Sequence, residues 1–183
     1  MKSRRKITAL FVVYGILLLW AILFKFNYDP FLKIDWHQKI PLYYRLKKYI
    51  IPFKSIDFFI RQGNWIEISA FFLNCVLFIP LGMLLPFYMR KRRAAAVCIV
   101  LPVIIELVQV FSYLGGLDTT DMIMNSLGGL IGVGLYGILR PRVKDKTVNF
   151  VCIVCLCMFG PMAIYALVET IKALPRHMIY LFN

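Results

Sequence analysis

Residues 94–114 read AAAVCIVLPVIIELVQVFSYL, and Glu106 is the only charged side chain among them. A helix needs about 20 mainly apolar residues to cross a hydrocarbon core of about 30 Å. Four uncharged runs of similar length accompany this one, at 7–24, 68–89, 122–139 and 147–168. The sequence therefore predicts an all-α membrane bundle of five spanning helices, which forms a single domain over residues 1–183.

The composition of the whole chain agrees with insertion into a membrane. Of its 183 residues, 61% are hydrophobic and 17% are charged, whereas about a quarter of a soluble protein is charged. A soluble globular domain and a disordered chain are therefore both excluded. The five cysteines all fall within predicted spans, where we expect them to pack as small hydrophobic side chains.

The net charge of +13 is concentrated in three short segments, which hold 12 of the 22 basic residues and one acid. Their bases are Lys2, Arg4, Arg5, Lys6, Arg90, Lys91, Arg92, Arg93, Arg140, Arg142, Lys144 and Lys146. Positive charge marks the cytoplasmic side of short loops. This distribution predicts a cytoplasmic N-terminus, an outer C-terminus and no nucleic-acid partner. Binding of anionic lipids by the three segments is the alternative interpretation.

The long segment 27–67, between the first two spans, mixes aromatic and basic side chains and lies on the outer side in this topology. Aromatic rings with one polar edge and long basic side chains favour the headgroup layer of a membrane. We expect Lys47, Lys48 and Lys54 to contact headgroup phosphates. The segment is either a surface element on the membrane or a lid over a lipid-facing site, and the sequence leaves both open.

Polar residues within and beside the spans indicate a binding site. Measured at ~1.5 Å per residue from the outer ends, those within spans lie about 5–12 Å deep, in the outer half of the membrane. Such residues normally face a bundle interior or an aqueous pocket. We therefore predict an outward-facing ligand pocket formed by Asn74, Glu106, Gln109, Asp118, Asp121 and Asn125.

Each of these residues also has a structural interpretation. Asn74 and Asn125 could join helices through hydrogen bonds, and Asp118 and Asp121 could cap the fourth span. A divalent cation at Glu106 and Asp121 is a further hypothesis, since such ions prefer oxygen ligands. No other cofactor is expected.

The glycines of the fourth span indicate close packing between helices. Gly128 and Gly132 are separated by three residues, a spacing that lets two helix backbones approach each other.

Five segments of the chain resemble the VanZ-like family, over about residues 18–137. The first two are Leu23-Phe24-Lys25-Phe26 and Ile51-Pro52-Phe53. The other three are Asn74-Cys-Val-Leu-Phe-Ile-Pro-Leu-Gly82, Glu106-x-x-Gln109 and Asp118-Thr-Thr-Asp121-Met-Ile-Met-Asn125-Ser-Leu-Gly-Gly129. Many relatives have an Arg shortly before the first Asp and another Asp directly before the second, where this chain has Gly115, Gly116, Leu117 and Thr120. The resemblance implies a role in glycopeptide resistance, in which susceptibility to teicoplanin falls more than susceptibility to vancomycin.

Together, the residues and the resemblance predict a protein of the cytoplasmic membrane that binds a membrane lipid or a lipid-linked cell-wall precursor. A hydrolase or transferase that acts on such a lipid is one alternative, and a structural subunit of an envelope assembly is another. The enzyme has less support, because both histidines, His37 and His177, lie outside the apolar runs. No catalytic residue is assigned.

Overall fold

The computed structural model of the chain describes residues 2–24, 41–47, 50–63, 65–112, 114–143, 153–154 and 157. Within these ranges the secondary structure is helical, with no strand. The helices are α1 (Lys2–Phe24), α2 (Leu42–Lys47), α3 (Lys54–Arg61), α4 (Trp65–Leu84), α5 (Lys91–Phe111) and α6 (Thr119–Val143), and a 3₁₀ turn covers Leu85–Phe87. The predicted all-α class is confirmed.

Among the described residues, two helices are long and apolar enough to cross a membrane, at Lys91–Phe111 and Thr119–Pro141. They correspond to the predicted spans 94–114 and 122–139. The predicted spans 7–24 and 68–89 fall on α1 and α4, whose apolar stretches are shorter, Ile7–Ile22 and Phe71–Phe87. The predicted span 147–168 lies almost entirely outside the described residues. The number of five spans and the orientation remain predictions.

The segment 27–67 contains more regular structure than a loop. Short helices α2 and α3 lie within it, and α4 begins at Trp65, inside the boundary expected for the loop. The C-terminal end of α4 also differs from the predicted span 68–89, because α4 stops at Leu84 and a 3₁₀ turn with Pro86 follows. Proline has no amide hydrogen to continue an α-helix, so the change of helix type occurs where Pro86 enters.

The tightest contact in the fold is between α4 and α6, and glycines make it possible. A Cβ atom on Gly128 would lie 1.8 Å from the carbonyl oxygen of Cys75, and one on Gly132 would lie 2.0 Å from that of Ile79. On α4, a Cβ on Gly82 would lie 1.9 Å from the carbonyl oxygen of Gly129. The two backbones therefore touch directly, which confirms the close packing predicted from the glycine spacing.

Helix α1 joins α4 through one buried hydroxyl. Tyr14 Oη donates to the carbonyl oxygen of Leu77 (2.8 Å) and accepts from the amide of Leu81 (3.1 Å). A regular helix would pair this amide with this carbonyl. The hydroxyl thus lies between the two backbone groups and bridges them, next to Pro80, which has no amide hydrogen to donate. Tyr14 is buried with Leu18, Phe78 and other apolar residues in the core between α1, α4 and α5.

Candidate functional site

The polar site begins at the first turn of α6, where Asp118 caps the helix. Its Oδ1 accepts from the amide of Thr120 at 2.8 Å and, at 3.4 Å, from that of Asp121. These amides belong to the first turn, which has no intrahelical acceptors for its N–H groups. An aspartate preceding a helix is suited to this role because its carboxylate reaches them directly and also complements the helix dipole.

Glu106 reaches the same place from α5. Its Oε2 accepts from the amide of Asp118 at 3.0 Å, and its side chain is almost fully buried. The carboxylate therefore sits against the N-terminal end of α6, where the partial positive charge of the helix stabilises an anion. Glu106 and Asp118 thus join the end of α5 to the start of α6.

Asn74 adds a third helix to this arrangement. Its Nδ2 donates to Oδ1 of Asp121 at 2.8 Å, across the interface between α4 and α6. Asp121 is buried, whereas Asn74 is partly exposed. The structure therefore brings together Asn74, Glu106, Asp118 and Asp121, and we call these four residues with Asn125 the polar cluster.

Asn125 lies one helical turn after Asp121 and has a distinctive property. Its side chain is 1% exposed, and its Oδ1 has no hydrogen-bond partner in the described part of the chain. A buried acceptor without a donor costs about 1–3 kcal/mol, so such a group in a native structure calls for an explanation.

Gln109 does not join the other predicted residues. Its Nε2 donates to the carbonyl oxygen of Ile22 at 2.8 Å, and its side chain is buried. Gln109 therefore connects α5 to the last turns of α1. It shares a helix face with Glu106, but its side-chain amide binds the C-terminal end of α1.

Arg45 is a buried residue that no sequence pattern singles out. It lies in α2, its side chain is 7% exposed, and Nη1 donates to the carbonyl oxygen of Val110 near the end of α5. Its own carbonyl accepts from the amide of Leu117 at 2.9 Å. Segment 27–67 contains many basic residues, and nothing in its sequence distinguishes Arg45 from the others.

A second attachment holds the segment over the start of α6. The amide of Phe53 donates to Thr120 Oγ1 at 3.0 Å, and Thr119 Oγ1 donates to the carbonyl oxygen of Ile50 at 2.9 Å. Phe53 has φ 61° and ψ 0°, a left-handed conformation that glycine usually takes. Non-glycine residues in this region are strained, and such strain is concentrated at functional sites.

Two of the three lysines expected to contact phosphates lie in the described part of the chain, and both are exposed. Lys54 directly follows Phe53 and is exposed, and so is Lys47, whose Nζ lies 4.3 Å from the centre of the Tyr43 ring. Lys48 lies outside the described residues. The two described lysines therefore lie on the segment that is attached to the start of α6.

Metal binding finds limited support in this geometry. Among the described residues, no three His, Cys, Asp or Glu side chains are grouped so that they could hold a metal ion. A cation at Glu106 and Asp121 would need amide or backbone oxygens as its further ligands, and it remains a prediction.

Comparisons with known proteins agree with the resemblance carried by the motifs. The family model described as VanZ/LLP1 matches residues 11–140, a range that includes every residue of the polar cluster. Protein VanZ of Enterococcus faecium is 29% identical over 147 residues, which cover 79% of this chain and 81% of that protein. No solved structure matches the chain.

Proposed function

The chain belongs to the VanZ-like family, and from this premise we propose that it lowers susceptibility to glycopeptide antibiotics of the teicoplanin type. It does so as a multi-pass protein of the cytoplasmic membrane. Its polar cluster, at the outer end of the bundle, recognises the polar headgroup of a lipid-linked envelope component.

The observation that carries this proposal is the convergence of the polar cluster. Three helices bring Asn74, Glu106 and Asp121 to one buried place, although the glycine contacts already hold α4 against α6. Burying polar groups among apolar helices is costly, and in membrane proteins such groups mark ligand or ion pathways. Packing alone does not require them.

The free acceptor of Asn125 supports binding of a ligand that donates a hydrogen bond. Asn74 and Gln109 already use a donor each on groups of the protein, whereas Asn125 Oδ1 has no partner among the described residues. A hydroxyl or amide of a headgroup would satisfy it. The proposed roles therefore centre on Asn125 for hydrogen bonding and on Glu106 and Asp121 for charge.

The segment 27–67 supplies positive charge that would attract a phosphate. Lys47 and Lys54 are exposed on α2 and at the start of α3, and the segment is fixed to α6 through Phe53 and Thr120. In this proposal the segment acts as a lid. A headgroup reaches the buried cluster when the contacts of Phe53 and Thr120 open, and the lysines hold its phosphate.

The substitution Glu106→Gln tests the proposal. Glutamine retains an oxygen that accepts from the amide of Asp118, so we expect normal abundance in the membrane but loss of teicoplanin resistance. Asn125→Leu removes an unsatisfied acceptor, and we expect the same loss without a fall in abundance. The measurement is the teicoplanin susceptibility of an expressing host, normalised to the amount of protein in the membrane.

The matched control is Asp57→Asn, which makes the same kind of change at an exposed carboxylate on α3. Asp57 is paired with Arg61 at the surface, where an ion pair contributes little, so resistance should persist. Full resistance of both Glu106→Gln and Asn125→Leu at normal abundance would contradict the proposed site.

A further inference from the structure

The end of the bundle away from the polar cluster contains an open cavity of about 450 Å³. Its lining residues are Pro86, Phe87, Tyr88, Met89, Arg90 and Arg93. Glu106 lies 13 residues beyond Arg93 on the same helix, or about 20 Å along its axis. The cavity is therefore separate from the site proposed above.

Three helix ends meet around this cavity. Tyr88 Oη donates to Thr8 Oγ1 at 3.0 Å, which places the first turns of α1 beside it. Lys91 Nζ lies 2.9 Å from where a Cβ on Gly137 would be, which places the last turns of α6 there as well. The exposed bases at these ends are Arg5, Arg90, Lys91, Arg92, Arg93 and Arg140. We call this region the basic end.

The start of α5 increases the positive potential of the basic end. Arg90 is the residue that precedes the helix, no side chain caps the first amides, and the first turn contains no acidic residue. A helix N-terminus carries about half a positive charge, so four consecutive bases there repel both the helix end and each other. An anion would relieve this repulsion and accept hydrogen bonds from the free amides.

We propose that the cavity at the basic end binds the headgroup of an anionic phospholipid from the adjoining leaflet. The phosphate lies between the guanidinium groups of Arg90 and Arg93, close to the first amides of α5. The glycerol and the first acyl carbons lie against Phe87 and Met89, the apolar wall of the cavity. A lipid fits both walls, whereas a free phosphate would use only the arginines.

This inference depends on the helices lying in a bilayer and not on a role in antibiotic resistance. Its test is a binding measurement on the purified full chain in a neutral detergent. Short-chain phosphatidylglycerol and phosphatidylcholine with the same acyl chains are titrated, and the bound lipid is counted by native mass spectrometry. We expect one phosphatidylglycerol to bind more tightly than phosphatidylcholine, and soluble glycerol phosphate to bind far more weakly than either.

Two neighbouring substitutions separate a defined site from diffuse attraction. Arg93→Gln should weaken binding of phosphatidylglycerol about fivefold, as expected for one arginine near an anionic surface, and Arg93→Lys should retain most of it. Arg92 is exposed in the same run of bases but does not line the cavity, so Arg92→Gln should leave the affinity nearly unchanged.

Equal losses for Arg92→Gln and Arg93→Gln would overturn the proposal, because they would indicate attraction to net charge alone. Equal affinities for the two lipids would overturn it as well. Binding of glycerol phosphate as tight as that of the lipid would also overturn the proposal, because the acyl chains would then add nothing to the affinity. Both arginines are exposed, so each variant should fold, and the midpoint of thermal unfolding verifies this.

Discussion

The hydroxyl of Tyr14 makes two hydrogen bonds with the backbone of α4, one to the carbonyl oxygen of Leu77 and one from the amide of Leu81, beside Pro80. Tyr14→Phe removes both bonds within an apolar core and leaves an empty space next to Pro80. We expect the free energy of unfolding to fall by about 1–3 kcal/mol. Titration with sodium dodecyl sulfate in mixed micelles, followed by circular dichroism, measures this change.

The control for this prediction is Tyr88→Phe, which removes an exposed hydrogen bond to Thr8. Water can replace that bond, so the loss should be less than about 0.5 kcal/mol. If Tyr14→Phe costs no more than Tyr88→Phe, the buried hydroxyl does not stabilise α4.

Single residues also show where sequence reasoning succeeds. Depth within apolar spans predicts that Asn74, Glu106, Gln109 and Asn125 converge, with Asp118 and Asp121 beside them. The structure links Asn74 and Glu106 through Asp121 and Asp118. Gln109 is also polar and lies at a similar depth, but its side-chain amide donates to the carbonyl oxygen of Ile22. Every residue has a backbone carbonyl, so no sequence pattern indicates which one Gln109 binds.

The pairing of α4 with α6 depends on the absence of Cβ atoms at a few glycines. In Gly132→Ala the new methyl group would lie 2.0 Å from the carbonyl oxygen of Ile79, so the helices must separate. We expect a cost of about 3 kcal/mol or more and a lower amount of protein in the membrane. Gly128→Ala should behave in the same way, because it meets the carbonyl oxygen of Cys75.

Gly134 provides the matched control on the same helix. A Cβ there meets nothing within 4 Å, and alanine favours a helix over glycine by about 1 kcal/mol. Gly134→Ala should therefore be neutral or slightly stabilising in the same detergent titration. Equal losses for Gly132→Ala and Gly134→Ala would mean that helix propensity, and not contact with α4, limits stability.

At the level of elements, apolar length was sufficient to predict α5 and α6. Helices α2 and α3 were not predicted, because they cover six and eight residues and isolated helices of that length are marginal in water. Contacts with distant residues fix their positions, namely Arg45 with Val110 and Phe53 with Thr120. The sequence of α2 and α3 alone does not indicate these distant partners, so it does not predict the two helices.

The separation of charge along the whole molecule, with the basic end opposite the polar cluster, predicts its orientation in the membrane. If the basic end is cytoplasmic, a cysteine introduced as Lys47→Cys should react with an impermeant thiol reagent in intact cells, whereas Arg92→Cys should react only after lysis. Both positions are exposed. The unmodified chain gives the background of its own cysteines, and labelling of Arg92→Cys alone in intact cells would reverse the topology.

The contact between α4 and α6 also has a consequence for the order in which the protein is made. Asn74 and Asp121 are 47 residues apart, which a ribosome translates in about 2–10 s. During that interval the Asn74 amide on the nascent α4 lacks the carboxylate of Asp121, and the side of α4 that contacts the glycines of α6 has no partner. A chain that terminates after α5 would therefore keep the Asn74 amide without its partner and leave the α6-facing side of α4 uncovered.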